Sequence, residues 1–159
     1  PLDCHPLFTI SEEVGVGASA VLHGDVAEML TLDNGTTAPG QNSSEFGVTI
    51  CMADMSGPFD YHLTHRMLQI CQEFEIPHQR DVFRYYRSDS AAAVEAGNDL
   101  RTALATFGVD GSHGWERIHW NALQSLAQLV ALYIQSPPLY DRDRSGRGPL
   151  AGFPTMRGY

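Results

Sequence analysis

Basic residues are scarce in this sequence: 10 Lys and Arg stand against 19 Asp and Glu in 159 residues, a formal net charge of −9. Such a chain has no positive face to offer nucleic acid or an anionic membrane, so neither is expected as a partner. Long apolar runs are lacking too. None approaches the roughly 20 residues that a membrane-spanning helix needs. Pro1-Leu2-Asp3-Cys4 has neither the basic start nor the apolar stretch of a secretory signal. The missing initiator Met points to a processed or excised piece. Cysteine is sparse: Cys4, Cys51 and Cys71 are odd in number, far apart and without a Cys-x-x-Cys pair. That argues against a thiolate zinc site and fits reduced thiols in a cytoplasm. No phosphate-binding Gly loop, nucleophile elbow or basic aromatic stripe is present.

What remains is ordinary for a globular domain, with 43% hydrophobic and 18% charged residues, and long enough for one core. Pro6 to Ser11 reads as a short buried strand running into Glu12-Glu13-Val14-Gly15-Val16-Gly17, and Ala18 to Leu22 as the start of a short helix. Ala27 to Leu32 reads as a strand that ends at Asp33-Asn34-Gly35, a turn-favouring triplet. Phe46 to Ala53 alternates as a third strand. The period then changes: Leu63, Met67, Ile70, Cys71 and Phe74 fall at helical spacing behind an Asp60 cap, and Ile76-Pro77 ends the helix. Gln79 to Tyr86 follows as a strand. Ser88-Asp89-Ser90 caps a small helix, Ala91 to Ala96. Leu100 to Phe107 fits either a helix or a buried strand. The last helix spans about His119 to Ile134, with Leu123, Leu126, Ala127, Val130 and Ile134 as its stripe. Strands alternating with helices predict an α/β layered fold, a mixed central sheet flanked by helices. The expected division is a folded region over 1–136 and a Pro/Gly/Arg-rich tail, disordered, over 137–159.

Four residues carry the candidate chemistry. Adjacent acids at a strand end, Glu12 and Glu13, point to opposite sides; one could ligate a metal while the other faces a bound water as general base. The same pair also reads as a solvated acidic turn. Asp33 sits at an expected strand end, where α/β folds place functional groups, or else caps its own turn. His113 lies in Gly-Ser-His-Gly-Trp-Glu-Arg-Ile-His. Six residues place His113 and His119 about 240° apart on a helix, so they cannot chelate one ion from one face. The flanking glycines favour a loop with His113 at its tip. His62 and His65, at i and i+3 on the expected helix, could hold a metal, but no acidic residue in the segment clearly completes a site, and Asp89 reads as an N-cap rather than a ligand.

Taken in order, these residues resemble a known family. Phe8-Thr9-Ile10-Ser11-Glu12-Glu13-Val14-Gly15 is similar to the strand and Glu-Glu-Val-Gly turn of the tetrahedral, or glutamyl (deblocking), aminopeptidases. Leu32-Asp33 follows at the family's distance. The helix Tyr61 to Phe74 runs into Glu75-Ile76-Pro77-His78-Gln79 as the family's helix-to-strand passage does. Ser88-Asp89-Ser90-Ala91-Ala92 looks like its Thr-Asp-Ala segment, and Ser112-His113 stands in the place of its late His. The resemblance covers residues 7 to 134. The Gly-Ser-His-Gly-Trp context and the tail depart from the family pattern and point to a divergent bacterial branch, of the kind associated with osmoprotectant dipeptide systems.

The resemblance implies a cytoplasmic, homo-oligomeric aminopeptidase that uses two divalent metal ions, Zn, Co or Mn, to cleave N-terminal residues from peptides or to act on a small blocked dipeptide. By resemblance, Glu13 and His113 bind one ion, Asp33 the other, and Glu12 is the base. A His and a bridging Asp would come from earlier sequence, so this chain would hold the carboxyl-terminal part of the catalytic domain and be inactive alone. The rival expectation is a non-catalytic α/β assembly domain of the same fold.

Overall fold

The computed structural model describes residues 3–20, 22 and 26–139. Among these the strands are β1 (Glu28–Thr36), β2 (Val48–Asp54), β3 (Gly57–Pro58), β4 (His78–Val82), β5 (Arg101–Asp110) and β6 (Arg117–Ile118). The helices are α1 (Tyr61–Glu73), α2 (Asp89–Glu95) and α3 (Trp120–Gln135). One mixed sheet contains all six strands. β5 lies between β1, to which it is parallel, and β2, to which it is antiparallel. β2 also pairs in parallel with β4 and antiparallel with β3, while β6 pairs with the end of β5. The α/β layered fold expected from the alternation is present.

Alternation explains the layering. Val48 and Ile50 of β2 and Ala103 and Ala105 of β5 point to one face, where Leu63, Met67, Ile70 and Cys71 of α1 and Leu126, Leu129 and Tyr133 of α3 cover them. The small alanines let both helices approach the sheet closely. Cys51 and Leu104 point the other way, into a second cluster with Phe59 and Phe83. Both faces of β5 are thereby buried. Burial in the centre of the sheet decides Leu100 to Phe107 in favour of strand, because packing overrides a mild helical propensity.

The Asp60 cap forms as expected, its carboxylate accepting the Leu63 N–H at 2.8 Å. Phe74, placed on the core stripe by spacing, is instead exposed past the helix end. The buried stripe of α3 is Ala122, Ser125, Leu126, Leu129 and Tyr133, with Ala127 exposed. Of the predicted stripe Leu126 is buried, and Val130 and Ile134 pack partly buried against the same core. The register is set by Tyr133, whose hydroxyl bonds Glu28 at the start of β1, beside the Glu28–Arg101 ion pair of 3.2 Å.

Four further expectations are corrected. Pro6 to Ser11 is not a strand: Phe8 is 89% and Ile10 99% exposed, and none of the described strands pairs with the segment. Apolar composition alone cannot supply the ladder partner that makes a strand. Residues 18–20 and 22 likewise form no helix. Asn34-Gly35 does not turn; β1 continues through both to Thr36, held by nine consecutive pairs to β5. Gly35 is there for space, since a Cβ would lie 2.3 Å from the Thr106 hydroxyl. β4 ends at Val82, four residues earlier than expected. Of the tail expected over 137–159, residues 140–159 lie outside the described residues, and Leu139 packs against the edge of the core.

Candidate functional site

Parallel β1 and β5 end at the same edge of the sheet, and a cleft opens there. Glu12, Glu13, Asp33, Asn34, Tyr85, Tyr86, Arg87, Ser88, Asp89 and His113 are among its lining residues. The four candidate residues therefore share one cleft, although 100 residues separate Glu13 from His113.

Each is brought there by a different device. Asp33 stands on β1 three residues before its end, inside the strand. Glu12 and Glu13 lie on a single 3-10 turn, Glu12–Val14, closed by the Gly15 N–H donating to the Glu12 carbonyl at 2.8 Å. Three residues per turn set neighbouring side chains about 120° apart, which replaces the opposed directions expected of a strand end. The turn is tied down from α2: Asp89 accepts the Ala18 N–H at 2.8 Å. The carboxylate comes so near the backbone that a Cβ on Gly17 would lie 2.5 Å from it. Asp89 thus works as an anchor, and Ser88 takes the N-cap position instead, with its hydroxyl turned to Asp54 at 3.3 Å.

His113 sits in the loop after β5, in the left-handed backbone region at φ 63°, uncommon for a non-glycine residue. Ser112 ties that loop to β1 by donating to Asn34 at 3.3 Å, and the His113 Nε2 lies 3.4 Å from the Glu13 carboxylate. Among the described residues the other histidines stay out of the cleft lining. His65 stacks on Tyr61 with ring centroids 3.8 Å apart and has Nδ1 against the Tyr61 carbonyl; His119 caps α3.

The electrostatics are those of crowded carboxylates. Burial pushes the Glu12 carboxyl above its ordinary pKa, and the charges of Asp33, Glu13 and Asp89 push it further, with His113 opposing. Burial also raises Asp33, against the lowering effect of Tyr86 and the Asn34 N–H, while Glu13 and Asp89 add to the rise. Both carboxyls hold their protons more tightly folded than unfolded. Their contribution to stability is therefore greatest below the unfolded carboxylate range and falls as pH rises through the folded pKa values. Asp33→Asn is expected to raise the melting temperature of the metal-free chain at pH 7 and to give little gain near pH 3. Equal melting temperatures for the two proteins at pH 7 would contradict this account of the charge.

Among the described residues, no three His, Cys, Asp or Glu side chains converge at metal-holding geometry. In kind the donors do fit: carboxylates with one imidazole suit Zn, Co or Mn. The mutual repulsion of neighbouring carboxylates, which contributes to both raised pKa values, is what a bound cation would relieve. Sequence reasoning missed Tyr85, Tyr86 and Arg87 as cleft residues; their one signal was adjacency to Ser88-Asp89-Ser90.

The model of the M42 glutamyl aminopeptidase family matches residues 1–129. This chain belongs to that family. A curated relative, the candidate aminopeptidase YhfE of Bacillus subtilis (strain 168), is 36% identical over 137 residues, 86% of this chain and 40% of its own length. The chain thus spans about two fifths of that relative. Solved structures agree in fold. Aminopeptidase APDkam598 from the archaeon Desulfurococcus kamchatkensis superposes with a TM-score of 0.72 at 22% identity, covering 88% of this chain and 43% of that one. The Pyrococcus horikoshii TET1 peptidase, which can assemble into a tetrahedron or a large octahedral shell, gives 0.65 at 22% identity over 80% of this chain and 38% of its own.

Proposed function

We propose that this chain carries the general base and three metal ligands of a two-metal aminopeptidase acting on the N-terminal residue of peptides. The observation that carries the reading is the sharing of one cleft by Glu12, Glu13, Asp33 and His113 at the carboxyl ends of two parallel strands, where α/β folds place their chemistry. Glu13 and His113 would hold one divalent ion and Asp33 the other, with Zn, Co or Mn as candidates. Bound there, the ions would polarise the scissile carbonyl and acidify the attacking water.

Glu12 is the residue suited to proton transfer. It is half-buried, and its raised pKa moves it toward the pH at which a carboxylate is an efficient base. Its oxygen would take the proton as the water attacks the carbonyl carbon, then deliver it to the amine as the carbon–nitrogen bond breaks. Glu13, exposed and beside His113, would hold its neighbour's imidazole in place. Among the described residues no helix is long and apolar enough to cross a membrane. The proposed setting is the cytoplasm, and the TET1 relative's shells support a homo-oligomer.

Three of the five ligands implied by the resemblance are in this chain, so the chain alone is expected to show no peptidase activity. Aminoacyl anilide turnover by the purified chain with added Zn²⁺, Co²⁺ or Mn²⁺, with contaminants excluded, would refute this. The reading itself is tested in full-length protein: Asp33→Asn should remove one ion per protomer, and unchanged metal content would leave the acids as turn residues of an assembly domain.

A further inference from the structure

Tyr86 lines the cleft beside Glu12, Asp33 and Asp89, yet no ligand role falls to it. Its hydroxyl is buried without a well-formed hydrogen bond, one of three such side-chain atoms among the described residues, and the Asp33 carboxylate is the acceptor within its reach. Leaving a buried hydroxyl unsatisfied costs stability, whereas a phenylalanine of the same shape would not. Such groups call for an explanation, and a functional one is common.

The ring has little freedom to seek another acceptor. It packs against Phe83 at 5.5 Å between centroids and against the cluster of Cys51, Phe59 and Leu104. Its backbone is held too, the Tyr86 carbonyl accepting the Met55 N–H at 2.9 Å. What the hydroxyl faces is the Asp33 carboxylate. One Asp33 oxygen already accepts the Asn34 N–H at 2.7 Å. The second remains for the phenol.

We propose that Tyr86 is a positioning residue for Asp33: its O–H is the donor that fixes the carboxylate's rotation in the cleft. Carboxylates that bind metals are themselves held by outer hydrogen bonds, and losing one such partner typically costs about 10- to 100-fold in metal affinity or activity. The proposal rests on the reading of Asp33 as a ligand. It adds a residue whose only polar group does not need to touch substrate or metal.

The test compares Tyr86→Phe and Asp33→Asn in the full-length enzyme, with Zn²⁺ affinity measured by chelator competition alongside the melting temperature of the metal-free proteins. The expected result is that Tyr86→Phe weakens one of two Zn²⁺ sites about 10- to 100-fold, the site that Asp33→Asn abolishes. Its melting temperature should equal or exceed that of the unaltered protein, which a merely structural tyrosine would not give. If Asp33→Asn abolishes a site while Tyr86→Phe binds Zn²⁺ normally, the positioning role is overturned and the ligand role stands. If Asp33→Asn keeps both ions, the underlying reading fails and takes this proposal with it. A Tyr86→Phe protein that melts lower or does not fold also overturns it, because the hydroxyl would then be structural.

Discussion

With Glu12 as the proposed general base, Glu12→Gln in the full-length protein is expected to retain both proposed metal ions and lose a factor on the order of 10²–10⁴ in turnover. Glu13→Gln is expected to lose activity by a different route, through weakened binding of one ion. Charge and basicity separate the two. A ligand carboxylate offsets the ion's positive charge and a neutral amide does not. A base needs only an oxygen able to take a proton, and glutamine keeps the shape while removing that ability. The structure sharpens the contrast, for Glu12 is half-buried among Asp33, Glu13 and Asp89 while Glu13 is exposed against His113. Metal content per protomer and turnover should be read together in both variants. Loss of metal in Glu12→Gln with both ions kept in Glu13→Gln would reverse the roles. Full activity in both would remove the pair from the chemistry.

The second large effect is steric and lies behind the cleft. Gly108 of β5 pairs across to Gly35 of β1, and the loop before β2 crosses over this point. A Cβ on Gly108 would stand 2.2 Å from the Ser44 carbonyl oxygen and 2.7 Å from the Glu45 nitrogen, both backbone atoms. The loop cannot simply swing away. The Ser43 N–H donates to the buried Asp81 carboxylate at 2.8 Å, as does that of Asn42, and the Ser43 hydroxyl lies 3.2 Å from the Gly35 carbonyl. Gly108→Ala is therefore expected to destabilise the chain by about 3 kcal/mol, the upper end for overpacking, or roughly 6–12 °C in melting temperature for a chain of this size. Ala127→Ser, exposed on α3, should change stability by no more than about 0.5 kcal/mol. A Gly108→Ala melting curve overlying that of the unaltered chain would show that the loop yields freely.

Elements with a strong period were legible in the sequence. The α1 stripe and its Asp60 cap follow from spacing and side-chain chemistry alone, and so does the β2 alternation. What failed were features decided by distant partners. Phe8 and Ile10 look like core residues, yet both are exposed and no described strand pairs with them. Asn34-Gly35 looks like a turn, yet nine pairs to β5 carry β1 straight through it. The α3 stripe was placed only in part: Leu126, Val130 and Ile134 do pack on the core, but the fully buried face is turned toward Tyr133, bonded to a Glu28 that lies 105 positions away. For the cleft, local pattern gave Glu12, Glu13, Asp33 and His113 only as open alternatives, and the family's ordered motifs brought them together. Asp89 and Tyr86 escaped because an anchor and a buried hydroxyl have no spacing of their own.

The parallel pairing of β1 with β5 also imposes a timetable. Its first rungs join Glu28 to Arg101, 73 positions along the chain. At roughly 5–20 residues per second of synthesis, β1 waits on the order of several seconds for its neighbour to leave the ribosome. The β2–α1–β4 unit does not wait, because its strands are joined by one helix and can pack as soon as residue 82 is free. Pairing across long separations is intrinsically slow even in a finished chain. The carboxylates at 12, 13 and 33 thus leave the ribosome well before β5, and the sheet edge that houses them is complete only after it.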